Sequence, residues 1–132
     1  MTRPTRILIA AADDDERAAM RQGLERRDFE IVDAADFTRA YALLLESQFD
    51  LVVIKSAGPP HDGIEFIKRV RATARLTGIL ILVIAEWGTG EPTLALSAGA
   101  DAYEPNEAKL IDPSRLRTSI ERLLSRQVAT AN

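Results

Sequence analysis

Apolar runs and amphipathic helical patterns alternate five times along this chain, and that alternation restricts the fold more than any other feature. Ile7-Leu8-Ile9-Ala10, Ile31-Val32, Leu51-Val52-Val53-Ile54 and Leu80-Ile81-Leu82-Val83-Ile84 read as strands, with Ala102-Tyr103 as a weaker fifth. The runs are continuous rather than alternately apolar and polar, as expected of strands covered on both faces of a parallel sheet. Helical patterns fill the gaps. Asp13-Asp14-Asp15-Glu16 supplies a cap and an acidic first turn, followed by Ala19, Met20 and Leu24 on one face. Asp36 caps a second helix in which Phe37, Tyr41, Leu44 and Leu45 share a side. Gly63 opens a third, with Ile64, Ile67, Val70 and Ala74 inward. Pro92 and Gly99 bracket a short fourth. Asp112-Pro113 starts the last, with Leu116, Ile120, Leu123 and Leu124 inward, and residues after Arg126 read as a frayed tail. Five such units in series predict an α/β three-layer sandwich, a five-stranded parallel sheet with five helices and right-handed crossovers.

No repeat, linker or low-complexity segment breaks the series, so the 132 residues are expected to form a single domain with its core over about 5–126. A net charge of −3, with no basic face and no interleaving of aromatic and basic residues, argues against direct nucleic-acid binding. Cysteine is absent, which removes disulfides and thiolate-bound metals and fits a reducing, cytoplasmic setting. The longest apolar run, Ile79 to Ala85, is too short to cross a bilayer, and Met1 to Arg6 lacks the design of a signal peptide.

In open sheets of this kind ligands sit beyond the carboxyl ends of the strands, where the strand order switches. Function is therefore sought just after Ala10, Ile54, Ile84 and Tyr103. The turn after the first strand, Pro59 and Asp62-Gly63 after the third, and Ala98-Gly99-Ala100-Asp101 with Tyr103 together resemble the response-regulator receiver domain family, over most of the chain. The resemblance implies a flavodoxin-like sheet of order 2-1-3-4-5 and a place in bacterial two-component or phosphorelay signalling. It also implies a reaction centre of five side chains. Two adjacent carboxylates after the first strand and an acceptor aspartate after the third hold Mg²⁺, a hard ion that takes oxygen ligands. A Thr or Ser after the fourth strand and a Lys after the fifth bind the phosphoryl oxygens.

In this chain those five positions are Ala11, Ala12, Lys55, Ala85 and Asn106, with Glu107 where a proline is usual. None carries the required group, so the expected activity is that of a pseudo-receiver, a phosphorylation-independent protein-interaction module that is not an enzyme and needs no metal or cofactor. Lys55 has two readings. It either reaches solvent or pairs with a nearby carboxylate, Asp13 or Glu86 by position, or else it is a fixed internal cation that replaces metal and phosphate. Two rival functions stand beside the first. A two-residue slip at the first strand would bring Asp13, Asp14 and Asp15 into a rearranged, phosphorylatable site, at the cost of a bulge in that strand and a shortened helix. Alternatively, the emptied crevice takes a small anionic ligand against Lys55.

In receivers the surface of the fourth helix, fifth strand and fifth helix is the usual contact for a kinase, an output domain or a second copy. Here it would present Leu94, Tyr103, Arg115 and Arg122, with Pro92 and Leu96 adding apolar surface and a homodimer among the outcomes. Arg117 and Arg126 belong to the same helix and fit a charged solvent face. Gly88-Thr89-Gly90 lacks the Lys-Ser/Thr of a phosphate loop, and Glu91 would repel phosphate. Trp87 is read either as an exposed anchor or as a cover over the crevice, and His61 as a surface residue on a turn.

Overall fold

A computed structural model describes residues 4–25, 28–56, 61–86, 92–106 and 112–131. Its strands are β1 (Thr5–Ala10), β2 (Phe29–Ala34), β3 (Leu51–Ser56), β4 (Leu80–Glu86) and β5 (Ala102–Asn106). The helices are α1 (Asp14–Gly23), α2 (Phe37–Glu46), α3 (His61–Ala72), α4 (Pro92–Ala98) and α5 (Pro113–Ala131), with a short 3-10 turn at Ala74–Leu76. The sheet order is β2-β1-β3-β4-β5 and every pairing is parallel. The order reverses between β1 and β3, so the chain leaves these neighbouring strands in opposite directions and opens a crevice above their carboxyl ends.

Side-chain parity sorts the core into two layers. Ile7, Ile9, Leu51, Val53, Leu82 and Ile84 point to one face, where they pack with Met20 and Leu24 of the α1 segment and with Leu116, Ile120 and Leu123 of α5. Leu8, Ala10, Val52, Ile54, Ile81 and Val83 point to the other, against residues of α2, α3 and α4 that include Leu44, Phe66, Val70 and Ala95. Each fully buried Ile or Leu contributes about 1.5–3 kcal/mol relative to exposure, which explains why the apolar runs are continuous. Close approach tightens the α1/α5 layer. Gly23 is buried, a Cβ there would lie 2.5 Å from Pro113 Cβ, and Arg117 donates from Nε and Nη2 to the Gly23 carbonyl at 3.0 and 2.6 Å.

The acidic caps act locally. Asp13 Oδ1 accepts from Glu16 N at 3.0 Å, and Asp36 Oδ1 accepts from Arg39 N at 2.7 Å. Several element ends differ from the sequence reading. β2 runs from Phe29 to Ala34 because main-chain pairing with β1, Thr5 to Phe29 through Ala10 to Ala34, does not require apolar side chains on an edge strand. β5 likewise continues to Asn106 in register with Glu86. α3 begins at His61, two residues before Gly63, and ends at Ala72. Ala74 is therefore exposed rather than inward, and Leu76 takes the buried place. Thr73 makes the break: its backbone is extended, its hydroxyl donates to Arg69 O at 2.9 Å, and Tyr41 Oη donates to that hydroxyl at 2.7 Å. The stretch after Arg126 is helical through Ala131 rather than frayed, because no Gly or Pro interrupts it and each added residue closes a further hydrogen bond.

Arg71 fastens the far end of α3 to the chain entering β5. It donates to Gly99 O at 2.9 Å, Thr77 O at 3.1 Å, Ile79 O at 2.7 Å and Asp101 Oδ2 at 2.8 Å. Asp101 Oδ2 also accepts from Ile81 N at 2.8 Å. Gly99 ends α4 at φ +123°, and a Cβ there would sit 2.5 Å from Arg71 Cγ. Gly99→Ala is expected to lower the free energy of unfolding by about 2 kcal/mol through backbone strain and displacement of Arg71. Urea denaturation checks this by a lower midpoint at unchanged slope.

Candidate functional site

The carboxyl edge of the sheet is set by register. Ala10 lies beside Ile54, Lys55 beside Ile84, Ser56 beside Ala85 and Glu86 beside Asn106. The five positions named from the sequence thus share one edge: Ala11 and Ala12 follow β1, Lys55 is the penultimate residue of β3, Ala85 is the penultimate residue of β4, and Asn106 ends β5. Ala11 is buried in the α1/α5 layer and donates its N–H to Ala34 O at 3.1 Å, whereas Ala12 is exposed.

Parity places Lys55 on the α1/α5 face, following Leu51 and Val53. Its side chain does not escape to solvent: the residue is 3% exposed, and Nζ lies 3.6 Å from Glu16 Oε1. Glu16 is itself only 5% exposed. Of the two carboxylates expected from the sequence, this corrects Asp13. Asp13 is committed as the N-cap of α1. Glu86 ends β4, and its side chain lies outside the described residues. Glu16 was legible in principle. It stands at i, i+4 and i+8 with Met20 and Leu24, a carboxylate on the apolar stripe of α1, and only the β1-to-β3 register shows that this stripe covers position 55.

A second cation closes the loop after β1. Arg17 Nη1 donates to Ala11 O at 2.7 Å and to Ala12 O at 3.1 Å, and Nη2 pairs with Asp14. Asp33 of β2 lies 4.0 Å from Arg17 Nε and 3.8 Å from Arg21 Nη1. The Asp13-Asp15 triplet is a cap and a first turn, with Asp14 and Asp15 exposed, and β1 pairs through Ala10 without the bulge that a two-residue slip needs. The donor set at this edge does not fit Mg²⁺. The carbonyls after β1 accept from a guanidinium, the end of β3 supplies an ammonium, and no group of three His, Cys, Asp or Glu residues capable of holding a metal occurs among the described residues.

On the neighbouring surface Leu94 is 52% and Leu96 48% exposed. At 100° per residue they flank the buried Ala95 on opposite sides of α4, so they do not form one apolar stripe. Tyr103 is half-buried against the α2/α3/α4 layer, and burial raises its phenol above the usual value. Arg115 is exposed and pairs with Glu104 of β5, whose other oxygen accepts from Ser119 Oγ at 3.2 Å. Arg122 is exposed two turns beyond Arg115 along α5. Trp87 and the Gly-Thr-Gly loop, Pro59 and Glu107 lie outside the described residues, as do the side chains of His61, Asp62, Ala85, Pro92 and Asn106.

The family model described as the response regulator receiver domain matches residues 7–121. The transcriptional regulatory protein AfsQ1 of Streptomyces coelicolor is 30% identical over 118 residues, covering 88% of this chain and 51% of that protein. Response regulator MprA of a Mycobacterium species is 30% identical over 120 residues, covering 90% of this chain and 52% of its own length. The chain therefore spans about half the length of these curated relatives. A CheY-like receiver domain protein from Methanospirillum hungatei superposes with a TM-score of 0.82 at 25% identity, over 96% of this chain and 98% of that one. No helix among the described residues is long and apolar enough to cross a membrane.

Removing one partner of a buried ion pair strands the other, whereas apolar replacement of both does not. Glu16→Ala is expected to cost about 3–5 kcal/mol of stability, and Glu16→Leu combined with Lys55→Met to cost nothing or to stabilise. Chemical denaturation of the three proteins checks the pattern, and equal losses in the single and double variants would refute it.

Proposed function

The chain belongs to the response regulator receiver family, and from that premise we propose that it acts as a pseudo-receiver, a module of two-component signalling that binds protein partners without being phosphorylated. The observation that carries this reading is Lys55, an ammonium 3% exposed at the end of β3, held 3.6 Å from Glu16. A lysine cannot form an acyl phosphate, and its charge repels Mg²⁺. The alanines at 11, 12 and 85 and the amide at 106 supply neither carboxylate, hydroxyl nor ammonium to the reaction that the family performs. In this reading the chain is not an enzyme, uses no cofactor, forms one domain and works in the cytoplasm.

Partner binding is assigned to the surface of α4, β5 and α5. Leu94 gives it exposed apolar area, and Arg115 and Arg122 give it positive charge on one side of α5. An exposed arginine on this side of α5 suits a kinase, an output domain or a second copy carrying an acidic patch. One relative is named a transcriptional regulatory protein; a place beside an output domain in a longer regulator is part of the same proposal.

Incubation with Mg²⁺ and acetyl phosphate is expected to leave the intact mass unchanged, and a gain of one phosphoryl group would overturn the reading. Lys55→Asp is expected to remain unphosphorylated in the same assay, because the metal carboxylates at 11 and 12 and the phosphate contacts at 85 and 106 are still missing. Leu94→Ser together with Arg122→Glu is expected to weaken capture of signalling partners from the source cell by roughly tenfold. The urea midpoint should hold, since both side chains are exposed. Unchanged capture would move the binding surface elsewhere.

A further inference from the structure

Two cations belonging to the chain itself lie against oxygens at the mouth of the fold. Arg17 takes the carbonyls of Ala11 and Ala12, and Lys55 faces the Glu16 carboxylate. The second contact has the properties of a built binding site. Both side chains are almost fully withdrawn from water, at 1% and 7% exposure, and they come from different elements, the end of β3 and the first turn of α1. The backbone of Glu16 is fixed independently of Lys55. Its N–H is capped by Asp13 Oδ1 at 3.0 Å, and Met20 and Gly23 on the same stripe of α1 are buried. The partial positive charge of the helix N-terminus also favours a carboxylate there.

We propose that Glu16 forms a preorganised site for a primary alkylammonium cation, that the tethered ammonium of Lys55 is its permanent occupant, and that the contact clamps the first turn of α1 to β3. This rests on reading the crevice as closed to metal, and it assigns to Glu16 a role that the family's reaction centre does not contain. The clamp holds together the two elements that border the crevice, so the position of α1 does not depend on an added ligand. Its chemistry is specific. The partner must present N–H donors and a full positive charge to a buried carboxylate and must take the place of a lysine stem on the face that carries Val53, beside Ile84 of β4. A quaternary ammonium has the charge without the donors or the shape.

Lys55→Ala deletes three methylenes and the ammonium, the atoms of n-propylammonium, and provides the test. The melting temperature of this variant is expected to fall by at least about 5 °C. n-Propylammonium chloride should recover a large part of the loss, and tetramethylammonium chloride at equal ionic strength should not. Adding Glu16→Gln to Lys55→Ala should abolish the selective response, and the wild-type protein should show none. If Lys55→Ala is not recovered folded, refolding yield from urea in the two salts reads the same selectivity. Equal effects of the two salts, or a selective effect that survives Glu16→Gln, would overturn the proposal. The outcome is separate from the phosphorylation test. A phosphorylated wild-type chain refutes the interaction-module reading whatever the amine does, and a failed rescue in an unphosphorylated chain refutes only the clamp.

Discussion

A parallel sheet cannot be closed by hairpins, so each of its strands must be separated by a crossover and covered on both faces. Everything else in this molecule follows from meeting that requirement. The strand cores Ile7 to Ala10, Leu51 to Ile54 and Ile81 to Ile84 are buried throughout, alternately against the α1/α5 layer and the α2/α3/α4 layer. Because the order reverses between β1 and β3, the same arrangement that builds the core also leaves one open edge at the carboxyl ends of the strands.

That edge inherits its chemistry from parity and register. Once Leu51 and Val53 face α1 and α5, residue 55 faces them as well, and a charged side chain there has no short path to water. The ammonium is accommodated because α1 places a carboxylate on its inward stripe, at the turn where the helix dipole already favours negative charge. A buried pair of this kind is weak grounds for stability, since desolvation offsets most of the attraction. It is better understood as a specification of geometry, because moving α1 away from β3 would leave two charges in a medium that cannot solvate them. Arg17 performs a related task outside the core by turning the carbonyls after β1 toward its own guanidinium.

The opposite border of the sheet is held differently. Arg71 joins α3, the turn before β4 and the entry to β5 through four acceptors, and Gly99 adopts a backbone that leaves room for it. The surface of α4, β5 and α5 is thereby tied to α3, and polar contacts such as Glu104 with Arg115 and Ser119 lie across it. The likeness to the receiver domain covers the sheet and its helices.

Local sequence fixed the kinds of element and most of the inward residues, because apolar continuity, helical spacing and caps at Asp13 and Asp36 act within one turn or one strand. It missed where β2 and β5 end, because edge strands lengthen through main-chain pairing that polar side chains tolerate. It also carried Ala74 inward and left the chain after Arg126 frayed, because a break at Thr73 depends on Tyr41 from another helix and a helix end needs a positive stop signal. From the amino acids alone it was already determined that alanine, alanine, lysine, alanine and asparagine stand at 11, 12, 55, 85 and 106, since side-chain identity needs no fold. The partner of Lys55 was decided only by tertiary structure. Asp13 is nearer in sequence position to the end of β1, but it caps α1, and the packing of α1 across β1 and β3 brings Glu16 to the ammonium.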